Sequence, residues 1–388
     1  MKTAFNHLKS DSIVCTNCIT GETESVSFTG DILVSVNKTD KAESAFFTGS
    51  GLVDIQINGI RGIDFNVPSL TVEDIVNATH YLLREGVTSF FPTVITNSDE
   101  HIITIMRTIA AACESDLLVE ACVGGIHLEG PFISPRPGAK GAHNAAFIKA
   151  PDRELFNSFQ KAADGRIKII TLAPEWESAP EFIEQCSRSG VIVSIGHSLA
   201  DTSQIRTAVQ SGARMSTHLG NGVPLMLQRH PNLIWDQLAE EELYTCIIAD
   251  GIHIPDSFIK VVRKVKSDKV LIVSDATRFA GMPPGEYHTH IGGDVVLDEN
   301  KRVSVKGEPG LLAGAAKSLK ENIDALLEHR LCSLGSAWQM ASLNVAGFLN
   351  ACRNGIKDYP NDRVIFIVEN NSVRVKTVIK NRKVVFSE

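Results

Sequence analysis

The sequence predicts an α/β protein: a (β/α)8 barrel carrying a small β-sandwich domain formed by both chain termini. Two observations predict it. Short apolar strands alternate with helix-period segments through the middle of the 388-residue chain, and eight such strands can be counted. Both ends, by contrast, are strand-rich without helices, which is economical if they form one domain interrupted by a large insert. The boundaries expected are 1–50 with 360–388 for the small domain, and 51–359 for the barrel.

Taken in order, residues 1–50 alternate β-like runs (Ser12–Cys15, Ser25–Phe28, Ile32–Ser35) with Gly, Asn and Asp turns. The barrel strands are expected at Leu52–Ile57, Ser89–Pro92, Val123–Leu128, Ile167–Leu172, Val191–Ile195, Met215–Thr217, Thr245–Ile248 and Val270–Ser274. Between them, Val72–Arg84, Ile102–Cys113, Glu154–Ala163, Pro180–Arg188 and Ser257–Val265 carry helical periodicity. After His197, Asp201 is a plausible N-cap with Gln204 three residues on as its capping-box partner, and Gly212 fits the helix stop. A β-hairpin insertion is expected near 285–306, followed by helices near Ala315–Leu327 and Ala337–Cys352. The tail, Val364–Phe386, returns to strands.

Composition bounds the function. The chain is 43% hydrophobic and 21% charged, with 38 basic against 45 acidic residues and a net charge of −7. That describes a globular protein with a sizeable core and disfavours nucleic acid as partner, although a small phosphorylated ligand needs only one or two local cations. No apolar run is long enough to span a membrane, and the N-terminus, MKTAFNHLKSDS, lacks a signal-peptide core. Eight cysteines without regular spacing suit reduced thiols in a cytoplasmic protein, and Cys15-Thr-Asn-Cys18 is read as ordinary strand cysteines.

Chemistry concentrates at the carboxyl ends of the expected strands, where barrels keep their sites. His197 closes the fifth strand and His218 the sixth, which sets two imidazoles side by side above the sheet. Glu129, in His127-Leu-Glu129-Gly-Pro131, ends the third strand and faces the same mouth. One carboxylate and two imidazoles form a common catalytic metal set with a position left for water. The bland alternatives are capping or core histidines and a salt-bridged carboxylate. His127, two residues back, is expected in the core or behind the ligands. The eighth strand ends in Val273-Ser274-Asp275, an aspartate placed to take a proton from water and pass it to a leaving amine; its alternative is a helix cap.

Seven motifs then carry a resemblance: HLEGPF (127–132), KGAHN (140–144), GHS (196–198), THLGNGVP (217–224), IADGIHIP (248–255), VSDAT (273–277) and LLAGA (311–315). With these the chain resembles the amidohydrolase superfamily and, within it, the N-acetylglucosamine-6-phosphate deacetylase family. The resemblance implies a metal-dependent hydrolase barrel with Glu129, His197 and His218 as metal ligands and Asp275 as acid/base. It implies that Ala142 and His143 contact substrate, His143 polarising the acetamide carbonyl or holding the sugar. Asn221, Gly222, Arg229, His253 and Leu312-Ala313-Gly314-Ala315 are implied to hold the sugar phosphate, with Arg229 offered to the neighbouring subunit of a homodimer.

Departures narrow this. Most of the superfamily carries His-x-His after the first strand, whereas this chain reads Asp54-Ile-Gln56-Ile-Asn58. Amides bind divalent transition ions poorly, so one metal ion per subunit is expected: zinc, with iron, cobalt or nickel as alternatives. Gly220–Val223 and Asn344-Val345-Ala346 also differ from the family's usual residues, which bears on sugar specificity. Three decoys are set aside: His288-Thr-His290 away from any barrel strand, Lys317-Ser318 without the glycine of a phosphate loop, and Ser198 outside a nucleophile elbow. The expected reaction is hydrolysis of the acetamide of an N-acetylhexosamine 6-phosphate. The rivals are another N-acyl sugar or small amide on the same scaffold, and a ligand-binding barrel without catalysis.

Overall fold

The computed structural model describes residues 12–40, 45–289, 293–356 and 359–388. Eight parallel strands form the central sheet: Leu52–Ile57 (β1), Val87–Ile95 (β2), Ile126–Glu129 (β3), Ile167–Leu172 (β4), Ile192–Ile195 (β5), Ala213–Ser216 (β6), Tyr244–Ile247 (β7) and Val270–Ile272 (β8). They pair in sequence order from β1 to β8. The eight expected strands thus all form, each within a few residues of its predicted place.

The seam between β1 and β8 has no regular ladder. It is crossed instead by Asp275 N–H to the Gln56 carbonyl at 2.9 Å and by Asn58 N–H to the Ala276 carbonyl at 2.7 Å. Ser274 N–H adds a bond to Asp54 Oδ1 at 3.2 Å. The amino-terminal end of the cylinder is plugged: Val345, Phe348 and Leu349 of helix Leu343–Ala351 pack on the inward-facing Val53, Ile55, Phe91, Ile169 and Leu271. The carboxyl-terminal end is left for a site.

Local sequence explains the surrounding helices. Asp201 caps helix Thr202–Ser211 in a full capping box with Gln204, and Gly212 ends it at φ 116°, a conformation that favours glycine. Thr71 and Asp74 do the same for helix Val72–Arg84, whose Ile75, Ala78, Leu82 and Leu83 face the barrel. Each such cap contributes about 1 kcal/mol. Two expectations change. The single helix expected over Ala337–Cys352 is two, Leu334–Met340 and Leu343–Ala351, because Ser342 leaves helical conformation at φ −141°, ψ −87°. The expected hairpin is a larger four-stranded antiparallel sheet, Gly285–Thr289, Gly293–Leu297, Arg302–Val305 and Glu308–Ala315. Its last strand takes up Ala315, and the following helix starts at Leu319. His290 lies outside the described residues, while exposed His288 pairs with Asp294 at 2.9 Å.

The two termini together form a separate sheet that closes on itself. Its order is Ser12–Asn17, Thr23–Thr29, Ile32–Lys38, Lys383–Ser387, Ser372–Lys380, Arg363–Glu369, Phe47–Ser50, and back to the first strand. Cys15, Val26, Phe28, Leu33, Ile365 and Ile379 fill it. Where it meets the base of the barrel, buried Lys380 bonds Asp362 at 2.8 Å and Ser89 of β2 at 3.2 Å. Among the described residues no helix is long and apolar enough to cross a membrane.

Candidate active site

Glu129 is the last residue of β3, while His197 and His218 each lie two residues past the ends of β5 and β6. All three are buried, at 3%, 7% and 3% exposure, so their polar atoms answer to one another rather than to solvent. Glu129 Oε1 lies 3.2 Å from His197 Nε2 and 3.0 Å from His218 Nε2, and the two Nε2 atoms are 3.2 Å apart.

That triangle fits a cation. Donor atoms held about 2.0–2.2 Å from one ion at tetrahedral angles sit roughly 3.3–3.6 Å apart, a few tenths of an ångström beyond these three edges. His197 Nδ1 bonds the Ala139 carbonyl at 2.8 Å, which requires the proton on Nδ1 and turns the Nε2 lone pair to the centre. A looser group, with donor atoms all within 4.8 Å of one another, joins His143 to Glu129 and His197. In the triangle with His218 the donor atoms lie 3.0–3.2 Å apart, and His143 Nδ1 bonds Thr96 Oγ1 at 2.8 Å. His143 packs edge-on against the His197 ring, centroids 4.5 Å apart.

The backbone is bent to aim these groups. His197, His218 and Asp275 have φ of 49°, 24° and 47°, the left-handed region that such residues seldom enter. Neighbouring glycine makes room: a Cβ on Gly222 (φ 62°) would lie 2.8 Å from His197 Nδ1. On the other side, Glu175 anchors the turn after His197, accepting from Ser198 Oγ at 2.7 Å and Leu199 N–H at 3.0 Å.

Burial and charge set the protonation states. Burial alone would raise Glu129, yet the hydrogen bonds and charge of His197 and His218 hold it well below the ordinary carboxylate range. Burial opposes the charged form of His218 too, but Glu129 and Asp275 raise it. Asp275 is pushed up to about 6, by burial first and then by the charge of Glu129, against the pull of His218, His253 and the Asn58 amide. His143 is pushed down to about 3 by burial and by His197, so it is a neutral imidazole at neutral pH. Fully buried His127 stays low for the same first reason and bonds the Ile55 carbonyl at 2.9 Å and Thr171 at 2.7 Å, a core position behind the ligands.

The remaining predicted residues fall into two groups. Asn221 and Gly222 lie on the turn directly after His218, where Asn221 N–H bonds the His218 carbonyl at 3.0 Å. His253 is held by Asp250 at 2.7 Å, close enough to Asp275 for its charge to act there. Ala315 accepts from Thr277 N–H at 2.9 Å and Thr277 Oγ1 at 2.8 Å, which ties the 312–315 strand to the turn bearing Asp275. Ala142 and Arg229 are exposed; Arg229 rides a loop whose Leu225 and Met226 are 99% and 88% exposed. Sequence reasoning missed Gln56, Asn58, Thr96 and Glu175. The first two had a signal, polar residues in and just after an apolar strand, whereas nothing local marks the others.

Comparison with known proteins shows the family. Residues 50–381 match the model of the amidohydrolase family. N-acetylglucosamine-6-phosphate deacetylase of Bacillus subtilis (strain 168) is 33% identical over 335 residues, covering 85% of this chain and 82% of that relative. The Bos taurus protein of the same name is 32% identical, covering 84% and 80%. Among solved structures, N-acetylglucosamine-6-phosphate deacetylase from Pasteurella multocida superposes with a TM-score of 0.80 at 25% identity, over 95% of this chain and 97% of that one. A Mycobacterium smegmatis N-acetyl-D-glucosamine-6-phosphate deacetylase, in complex with N-acetyl-D-glucosamine-6-phosphate, reaches 0.83 at 21% identity over 98% and 100%, a likeness of fold. The chain belongs to the amidohydrolase family, alongside its N-acetylglucosamine-6-phosphate deacetylase relatives.

Proposed function

We infer that this chain is a metal-dependent deacetylase that hydrolyses the acetamide of N-acetyl-D-glucosamine 6-phosphate, giving the amino-sugar phosphate and acetate. The observation that carries the reading is the convergence of Glu129, His197 and His218, with donor atoms 3.0–3.2 Å apart, beside a buried aspartate at the open end of the barrel. The relatives and solved structures bearing that activity in their names support the choice of substrate.

One divalent ion per subunit is held by Glu129, His197 and His218; zinc is favoured, with iron, cobalt and nickel accepted by the same donors. When bound it supplies Lewis-acid polarisation and a lowered water pKa. Asp275 takes the proton of the attacking water and delivers it to the departing amine. Neutral His143 bonds the acetamide carbonyl or a sugar hydroxyl. Asn221, Gly222, His253 and the Leu312–Ala315 strand hold the sugar phosphate, and Ala142 lines its entrance. Arg229 is offered to the site of a second copy, the exposed Leu225 and Met226 on its loop being the apolar contact of a homodimer. The free, buried thiols, such as Cys246 raised by desolvation, accord with a cytoplasmic location. The small domain comprises 1–50 and 360–388, and the barrel 51–359.

The test is acetate release from N-acetylhexosamine 6-phosphates and their dephosphorylated forms, with bound metal measured on the same sample. The expected outcome is one metal per chain and turnover of the phosphorylated glucosamine derivative well above the rest. Equal use of the unphosphorylated sugar would remove the phosphate role of Arg229. Metal without hydrolysis of any acetamide would leave only a ligand-binding barrel.

A further inference from the structure

Gln56 of the seam strand β1 and Asn58, one residue past its end, are two amides whose partners are the two carboxylates of the site. Gln56, 1% exposed, donates from Nε2 to Glu129 Oε1 at 3.0 Å, the same oxygen that faces both imidazoles. Asn58 donates from Nδ2 to Asp275 Oδ1 at 2.8 Å. The orientation of both amides follows from chemistry. A carboxylate only accepts, so turning either amide over would set two acceptors against each other. The carbonyl oxygens, Gln56 Oε1 and Asn58 Oδ1, are accordingly left buried without a protein partner, a cost the fold bears to keep the donors where they are.

The backbone makes these contacts stiff. The ladder between β1 and β2 shifts register between Asp54 and Ile57, an irregularity of the kind that re-aims side chains, and Gln56 lies inside it. The seam bonds Asp275 N–H to Gln56 O and Asn58 N–H to Ala276 O bracket the Asn58–Asp275 contact on both sides. Glu129 and Asp275 repel each other in one buried pocket, and neutral donors steady both without adding a cation.

We propose that Gln56 and Asn58 are positioning residues with separate duties: Gln56 fixes the Glu129 oxygen toward the two imidazoles and so sets metal affinity, while Asn58 fixes the Asp275 carboxylate for proton transfer and so sets turnover. This rests on the deacetylase reading above, and the experiment keeps the two apart.

The purified full-length protein is titrated with zinc in competition with a chromophoric chelator, and acetate release from N-acetyl-D-glucosamine 6-phosphate is followed in parallel. Gln56→Leu is expected to weaken zinc binding about 10–100-fold. Asn58→Leu is expected to keep zinc affinity within about threefold while kcat falls about 10–100-fold with KM little changed. Asn58→Asp, the same shape with the donor replaced by an acceptor, should lose at least as much kcat; retained turnover there would reduce position 58 to packing and overturn the proposal. Unchanged zinc affinity in Gln56→Leu, or equal loss of both readouts in both single variants, would overturn it as well. Gln56→Met serves if the leucine variant does not fold. An inert wild type that still binds zinc would fail the deacetylase reading and with it the Asn58 half of the proposal, while the Gln56 affinity test, independent of turnover, would still decide the other half.

Discussion

Both ends of the barrel bury charge, and they settle its cost in opposite ways. At the base, the Lys380 ammonium meets the Asp362 carboxylate at 2.8 Å, Ser89 Oγ takes a second bond, and Asn381 N–H satisfies the other Asp362 oxygen. The charges cancel, and both Asp362 oxygens are hydrogen-bonded. At the mouth, one oxygen of Glu129 faces His197, His218 and Gln56 together, while Gln56 Oε1, Asn58 Oδ1 and His218 Nδ1 are buried without protein partners. Such crowding of donor atoms, with buried polar groups left unpartnered, suits a site completed from outside the chain. The base holds the fold; the mouth is built for chemistry.

The largest effect that would break this contrast is at the mouth. Asp275→Asn should keep bound metal and thermal stability while kcat falls about 10²–10⁴-fold, the usual worth of a positioned acid/base. Acetate-release kinetics and a melting curve check it, and near-normal turnover would place Asp275 with the base residues rather than the catalytic ones. The mirror experiment is Lys380→Met, which leaves the buried Asp362 uncompensated. It should cost about 3–5 kcal/mol in denaturant unfolding, with kcat of the folded fraction unchanged. A lost kcat would show that the two ends are coupled.

A smaller effect sharpens the boundary between them. Asp54 is fully buried on β1, accepts from Ser274 and Gln56 N–H, and is pushed up to about 7 from 3.8, chiefly by burial. A folded-state pKa above the unfolded one means the native state binds the extra proton. Stability from this group is therefore full below about 3.8 and declines as pH rises to about 7. Asp54→Asn, a fixed neutral mimic, should flatten that slope and raise the melting temperature at pH 8 by a few degrees. A melting profile from pH 4 to 8 that is the same in both proteins would show that the carboxylate is already paid for in the wild type.

How much of this was legible in the sequence follows from which forces are local. The helix Val72–Arg84 ends where its periodicity ends, and the Asp201–Gln204 box forms as read, because caps and apolar stripes are fixed by neighbours a few residues away. Strand ends placed Glu129, His197, His218 and Asp275 on one rim before any contact was known. The break at Ser342 and the full four-stranded insertion were not legible, since they depend on packing against distant strands. Gln56 and Asn58 show the limit most clearly. Their chemistry excluded them as metal ligands, but their partners lie 73 and 217 residues away, and only the closed seam brings them together.

The left-handed turns at His197, His218 and Asp275 carry a consequence for protein engineering. Copying Glu, His, His and Asp onto the regular strand ends of another scaffold would reproduce the alphabet of this site without its spelling, because ordinary extended backbone sends those side chains elsewhere. A transplant needs the bends themselves and the bare glycine at 222 beside them, so the unit that can be moved is a set of loops rather than a set of letters.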